Sequence, residues 1–452
     1  MQGTIDKDTL HRTAKYFMDS GRAATHEDAK ALLDGFGLTV FAGEEVAHSP
    51  QHQLALLTLV NAARRTLLGG IEVVGLSDTP SLIAIAGVRS LRQVVCELGG
   101  RPVEEERAGW PYAVVGTVSN RASDMPGWRL TWEGWRAGVM PTREDRRMGE
   151  DATVALSPVL AAAVCAAEAF AWHAGDHPMA GRRTAGLSLW RPGACWLEAD
   201  ADESALAYLP SRLWLIGLGN LGQAYAWLLA CLPYRDRSKV QIVLQDYDRI
   251  AISNDSTSIL SFVKDRNRRK TRVVGEWLES AGFDTFLEER KFGKWTQRTS
   301  DEPGVALCGV DNPIARAALE DAGFGLVVEA GLGAGPQGFR NLSMHSFPSS
   351  RKAAAIWQQQ SEAPAASVEG MPAYQDLRKA GMDGCGLAQL ASRTVGVPFV
   401  GLIAGCLVVS ELLRRLHGGT ALELAALSAT ALEDIETMPM ESGLYEFGHL
   451  LA

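Results

Sequence analysis

An α/β fold made of two doubly wound, three-layer units in tandem is what this sequence predicts, and three observations predict it. A βαβ order opens the chain, with apolar strand-like runs over residues 38–42 and 71–76 on either side of a helix-like run over 53–67. A second βαβ order begins with RLWLIGLGNLGQAYAWLLACL and continues through KVQIVLQDYD, after which helices and strands alternate to Leu332. Each half also closes on an apolar helix carrying a glutamate seven residues before a glycine, Glu168 before Gly175 and Glu411 before Gly418. At 452 residues the chain has room for two such units, and a turn-rich stretch ending near Pro210 divides them into residues 1–205 and 206–452.

Within the first unit, residues 27–36 read as a short helix ahead of the 38–42 strand. Further strands are expected at 82–86 and 113–117, and a very apolar helix at 159–172. Between them lies Trp-rich, irregular sequence in which Trp128, Trp132 and Trp135 fit either a partner surface or a local core. His173 and His177 stand four apart, but glycine and proline interrupt the stretch AWHAGDHPM, so a helix end is expected there rather than a metal pair. In the second unit a strand is expected at 213–216 and a helix at 223–231. A long polar loop over 349–383 carries Gln358, Gln359 and Gln360, and loops of that length are usually functional or disordered.

Composition narrows the function classes. Hydrophobic residues make up 46% and charged residues 21%, as in ordinary soluble globular proteins. A formal charge of -9 argues against nonspecific nucleic-acid binding, which needs a basic face. The N-terminal residues carry charges throughout, unlike a secretory signal or a membrane anchor, so no membrane association is expected and a cytoplasmic location is. The seven cysteines are scattered without a C-x-x-C pair, so neither a disulfide framework nor a zinc site is indicated.

The chemistry concentrates between Arg212 and Gly335. Gly217, Gly219 and Gly222 form G-x-G-x-x-G between an apolar strand and a helix, the context in which glycines let a backbone approach a phosphate and a helix N-terminus offers free N–H groups. Asp246, at the end of the second strand, is placed to bind ribose hydroxyls. These features suit NAD and ATP equally.

The residues after the second strand are more specific. QDYDRIAISN, with Asp246, Asp248, Ser253 and Asn254, resembles the D-x-D-x-x-x-x-S-N signature of the ThiF and ubiquitin-activating-enzyme family. Asp265 and Lys270 in KDRNRRK match its D-x-G-x-x-K element, and Asp311, Asn312 and Arg316 in CGVDNPIAR match its D-N-x-x-x-R. The resemblance implies two Rossmann-like, ThiF-type units, the first degenerate and the second active. It also implies that ATP is bound with its ribose on Asp246, its phosphates on Asn254 and Lys270, and Mg2+ on Asp311. Those residue types suit adenylation, in which charge moves onto departing pyrophosphate. One departure stands out: the family places an arginine two or three residues after S-N, whereas this chain reads SNDSTS. Arg266, Arg268 and Arg269 lie nearby, and Arg64 or Arg65 of the first half are alternatives, since paired members of the family lend an arginine between halves.

Family members that pass on their cargo attack the acyl-adenylate with a cysteine. Cys385, in MDGCGLAQLA after the long loop, is the candidate nucleophile. Cys231, Cys308 and Cys406 lie in apolar runs and are expected to be buried. The full pattern looks like an activating enzyme of a bacterial ubiquitin-like conjugation operon, of the antiphage type. It would adenylate the C-terminal carboxylate of a ubiquitin-like protein, capture it on Cys385 and transfer it to a conjugating enzyme, with homodimerisation left open. The alternatives are a sulfur-carrier-protein adenylyltransferase, a non-catalytic nucleotide-binding scaffold, and an NAD-dependent oxidoreductase in which Lys270 and Asp311 would lack a purpose.

Overall fold

The computed structural model describes residues 6–119, 123–144, 146–358, 370–441 and 445–452. The first half builds a sheet from β1 (Gly37–Ala42), β2 (Gly70–Val74), β3 (Gly100–Val103), β4 (Tyr112–Val115), β5 (Gly127–Glu133), β6 (Arg136–Pro141) and β7 (Ala185–Ser188). Their order is β3-β2-β1-β4-β5-β6-β7, parallel from β3 to β5 and antiparallel beyond. Next come β8 (Tyr208–Pro210), which pairs with the C-terminal β17 (His449–Leu451), and the strands of a second sheet. These are β9 (Arg212–Ile216), β10 (Gln241–Gln245), β11 (Asp284–Glu288), β12 (Val305–Cys308), β13 (Leu326–Leu332), β14 (Asn341–Phe347), β15 (Leu422–Ser428) and β16 (Ala431–Pro439). Their order, β11-β10-β9-β12-β13-β14-β15-β16, repeats the first sheet strand for strand and adds one antiparallel edge strand. Each half is thus Rossmann-like, with the strand order reversing between β1 and β4 and between β9 and β12.

Side chains alternate across these strands, and in the second sheet both faces are covered. Leu213, Leu215, Ile242 and Leu244 join the large core shared with the first half, while Trp214, Ile216, Val243 and Cys308 join a separate core on the opposite face. The shared core is built around two matching 19-residue helices, Leu156–Ala174 and Pro398–Leu416. Their buried glutamates each meet arginine, Glu168 with Arg183 and Glu411 with Arg414 and Arg415. Gly175 and Gly418 follow with φ of 63° and 74°, left-handed positions that end a helix without a Cβ clash. The Leu156–Ala174 helix is apolar and long enough to cross a membrane by length and composition, yet 89% of that stretch is buried inside the protein.

Several expectations need correction. Residues 82–86 hold no strand; Ala84–Ala86 is a 3-10 turn, and the Leu82 N–H is taken by Gln53 Oε1 at 2.7 Å. The Trp-rich stretch is regular, a β5–β6 hairpin in which Trp128, Trp132 and Trp135 are core residues at 0–1% exposure. The helix end expected at His173 is found, where His173 bonds the Gly37 backbone and stacks on Phe36. The 349–383 segment contains helices at Ala353–Gln358 and Pro372–Lys379; Gln359 and Gln360 lie outside the described residues. Neither short helix has the length to persist alone, and each is pinned by tertiary contact, Trp357 against Arg316 and Tyr374 Oη on Asp19 at 2.8 Å.

Candidate functional site

At the reversal between β9 and β12 the chain leaves β9 through Gly217, whose φ of +81° and closeness to Val310 exclude a side chain. The helix begins at Asn220, three residues earlier than its periodicity suggests, so Gly222 lies in its first turn and packs directly on the Gly217 carbonyl. Gly219 is the N-cap. It supplies no side-chain cap, and a Cβ built on it would meet nothing within 4 Å. The start of this 12-residue helix is therefore uncapped beside open space at Gly219, an arrangement that can receive an anion.

Carboxylates and one ammonium gather beside this turn. Asp246 accepts the Leu218 N–H at 2.7 Å and the Asp248 N–H at 2.8 Å, which fixes it under the glycine turn. Lys270 opens the Lys270–Ser280 helix, with Nζ 2.9 Å from Asp248 and 3.9 Å from Asp246. Burial pushes its ammonium pKa down, but the charges of Asp246, Asp248 and Asp311 outweigh that and hold it above the usual lysine value. The turn leading into Lys270 uses Asn267, with φ +67°, where the family motif has glycine; Asn tolerates that region better than most residues. Asp311 stands exposed past the end of β12, and Asn312 caps the Pro313–Ala317 helix through Oδ1. Among the described residues no three His, Cys, Asp or Glu side chains form a metal-holding group, so a Mg2+ ion here would need phosphate oxygens to complete its shell.

The Asn254 side-chain carbonyl oxygen caps its own short turn by accepting the Ala251 N–H at 2.8 Å. The arginines considered from sequence are largely engaged elsewhere. Arg64 chelates Asp255 at 2.9 and 3.1 Å, Arg65 is spent on backbone carbonyls, and Arg268 pairs with Asp265 and Glu276. Arg269 bonds the Tyr247 carbonyl, and Arg266 lines a shallow surface pocket with Asp6 and Arg249. Arg12, which no motif signalled, donates its backbone N–H to Ser256 Oγ at 3.1 Å and its guanidinium to the Thr394 carbonyl. Its Nε is buried without a partner. Burial pushes this guanidinium down to about 10 and Arg393 adds to the effect, while Asp311 opposes it.

Cys385 is exposed in the first turn of the Gly384–Ser392 helix, where Asp383 caps the Gly386 N–H at 2.6 Å and Gln389 Nε2 donates to its Sγ at 3.4 Å. The helix begins one residue before the cysteine. Its other end is held by Arg393, which pairs with Asp8 next to the Arg12 segment. Eight residues at 1.5 Å each separate Cys385 from Arg393, about 12 Å along the helix. Cys308 and Cys406 are fully buried and Cys231 is half-buried; burial pushes all three thiols up, Cys308 to about 12.

Comparison with known proteins places this geometry in a family. Residues 37–189 match the family described as the BilD N-terminal domain, and residues 209–419 match the BilD C-terminal domain. A curated relative, "Bacterial E1-like protein BilD" of Collimonas sp. (strain OK412), is 61% identical over 452 residues, spanning 100% of this chain and 98% of its own. Among solved structures, E. coli MccB is 13% identical over 52% of this chain and 63% of its own, with a TM-score of 0.34. TcdA (CsdL) is 16% identical over 45% of this chain and 85% of its own, with a TM-score of 0.32. Likenesses that remote add nothing to the strand order already described. The two domain matches and the full-length relative together make this chain a member of the BilD family of bacterial E1-like proteins.

Proposed function

We propose that the second half adenylates the C-terminal carboxylate of a ubiquitin-like protein with ATP, that Cys385 then takes the acyl group as a thioester, and that a conjugating enzyme receives it. The observation that carries this reading is the convergence of an uncapped helix N-terminus, Lys270 and the carboxylates of Asp246, Asp248 and Asp311 at one strand-order reversal. The E1-like name of the 61%-identical relative points the same way. In this reading the carboxylate oxygen attacks the α-phosphorus and pyrophosphate leaves. The Cys385 thiolate, its proton passed to solvent, next attacks the acyl carbon and AMP leaves.

The residues divide the work by position. The Leu218–Asn220 turn and the first N–H groups of its helix receive phosphate oxygens in the space open at Gly219. Asp246 would take the ribose and Lys270 the phosphates, and Asp311 would hold Mg2+, which would supply positive charge against that developing on pyrophosphate. Arg12 supplies the cation missing after Asn254. The work is assigned to the cytoplasm, in a monomer or a homodimer.

ATP–pyrophosphate exchange that depends on an added ubiquitin-like protein is the expected result, and exchange absent with every carrier tried would leave the scaffold reading standing. A thiol-sensitive adduct on the chain should disappear in Cys385→Ala while exchange persists. An adduct that survives the substitution removes Cys385 from the scheme.

A further inference from the structure

A cluster of hydrogen bonds between the two halves falls on the loop after Asn254. Arg65 belongs to the first half, just past the Pro50–Ala63 helix, and is 1% exposed. Its guanidinium donates to the carbonyls of Asp255, Ser261 (2.9 Å) and Ile259 (2.9 Å), all in the second half. Asn61, one turn earlier, accepts from Arg65 at 3.0 Å through Oδ1 and donates to the Ile259 carbonyl at 3.0 Å. The opposite side of the same loop is held by Gln223, which accepts the Leu260 N–H at 2.8 Å and donates to Ser261 Oγ at 2.8 Å. Gln223 also donates to the carbonyl of Leu218, in the glycine turn, at 3.0 Å.

Burying a guanidinium is costly, and the nearest acid, Asp255, sits 3.6 Å from Arg65 but is already chelated by Arg64. The charge is therefore spent on three carbonyls, which only a rigid fork of donors reaches at once. A contact of this kind fixes backbone rather than binding ligand.

Resting on the adenylation reading above, we infer that Arg65, seated by Asn61, is a positioning residue through which the first half sets the nucleotide loop of the second. Held between Arg65 and Gln223, residues 255–261 keep Asn254 and the Leu218–Gly219 turn in one register. Arg65 does not itself touch the nucleotide.

The test is a double-mutant cycle on the full chain, with Mg2+–ATP binding read by titration calorimetry. Arg65→Lys keeps the charge and loses the fork; it is expected to weaken ATP binding about tenfold, within the range seen for residues that act on a site without touching its ligand. In an Asn254→Ala background the same change should cost less than about twofold, because its effect travels through that residue. Asn61→Ala, which removes one brace bond, should show a smaller loss with the same cancellation and serves if Arg65→Lys does not fold. Unchanged ATP affinity in folded Arg65→Lys or Asn61→Ala, or an equal loss in both backgrounds, overturns the brace. A wild-type chain that binds no ATP instead overturns the nucleotide reading on which the brace rests.

Discussion

The two strand-order reversals have the same topology and opposite chemistry. In the second half, β9 turns into its helix through Gly217, Leu218 and Gly219, and the helix start is left uncapped. In the first half, β1 is followed by Gly43, a 3-10 turn over Glu44–Ala47 and a helix that begins with Ser49 as cap and Pro50 at its first position. Ser49 accepts the His52 N–H, and proline has no N–H to offer, so two of the donors at this helix start are consumed or missing. The acid is changed as well. Ile216 and Ala42 end β9 and β1 against Cys308 and Val115; Ile216 also faces Gln245, followed by Asp246, whereas Phe41 faces Val74, so Ala42 falls opposite Gly75, followed by Leu76.

The space past β4 is also filled. Glu45 accepts the Thr117 N–H at 2.6 Å and pairs with Arg147 at 2.8 Å; Arg147 pairs with Glu150 at 2.5 Å, and Glu150 with His52 at 2.7 Å. A carboxylate of the chain thus sits where the second half leaves an opening. The turn at a strand-order reversal can therefore be left open or closed without altering the fold, by capping one helix and placing one carboxylate. The first half is then available to brace its neighbour.

The largest effect expected from breaking this asymmetry is at Lys270. Lys270→Ala should lower ATP–pyrophosphate exchange by about 10²–10³, the usual cost of losing one charge-stabilising group; exchange within about twofold of wild type would detach Lys270 from the chemistry. A paired change in the two helix caps comes next. Gly219→Val fills open space and should cut Mg2+–ATP affinity more than about tenfold with little change in melting temperature, as expected when a phosphate cradle is blocked. Ser49→Ala should do the converse, costing about 1 kcal/mol of stability by denaturant titration with ATP affinity unchanged. Equal effects from both would erase the distinction between an open and a closed reversal.

The smallest effect concerns acid. Burial raises the Glu45 carboxyl pKa, but its bonds to Thr117 and Arg147 more than offset this and bring it from 4.5 to about 2. A depressed carboxyl contributes stability above its unfolded pKa and loses it as pH falls, so the loss should run from about 4.5 towards 2. Glu45→Gln should flatten the stability–pH curve over that window, and an unchanged slope would show that this internal anion is not coupled to folding.

Much of this architecture is legible in the sequence. The glycine turn and Asp246 are readable because a βαβ unit encodes its strand, turn and helix locally, and Lys270 and Asp311 because each stands next to a strand or helix end that the pattern marks. The β5–β6 hairpin is obscured although Trp128, Leu130 and Trp132 alternate, because the sheet is buried on both faces and its intervening positions read as mixed. The Ala353–Gln358 helix is hidden because its stability comes from Trp357 stacking on Arg316 of a different element.

By itself the sequence determined the doubled order of elements and the type of loop at Gly217–Gly222, since periodicity and glycine placement are local properties. Only the tertiary structure decided which residues of the first half meet the 255–261 loop beside it. Arg12 meets Ser256 across 244 residues, and Arg65 meets Ile259 across 194. No local pattern marks such pairs, because it is the packing of one half on the other that brings an arginine to a particular carbonyl.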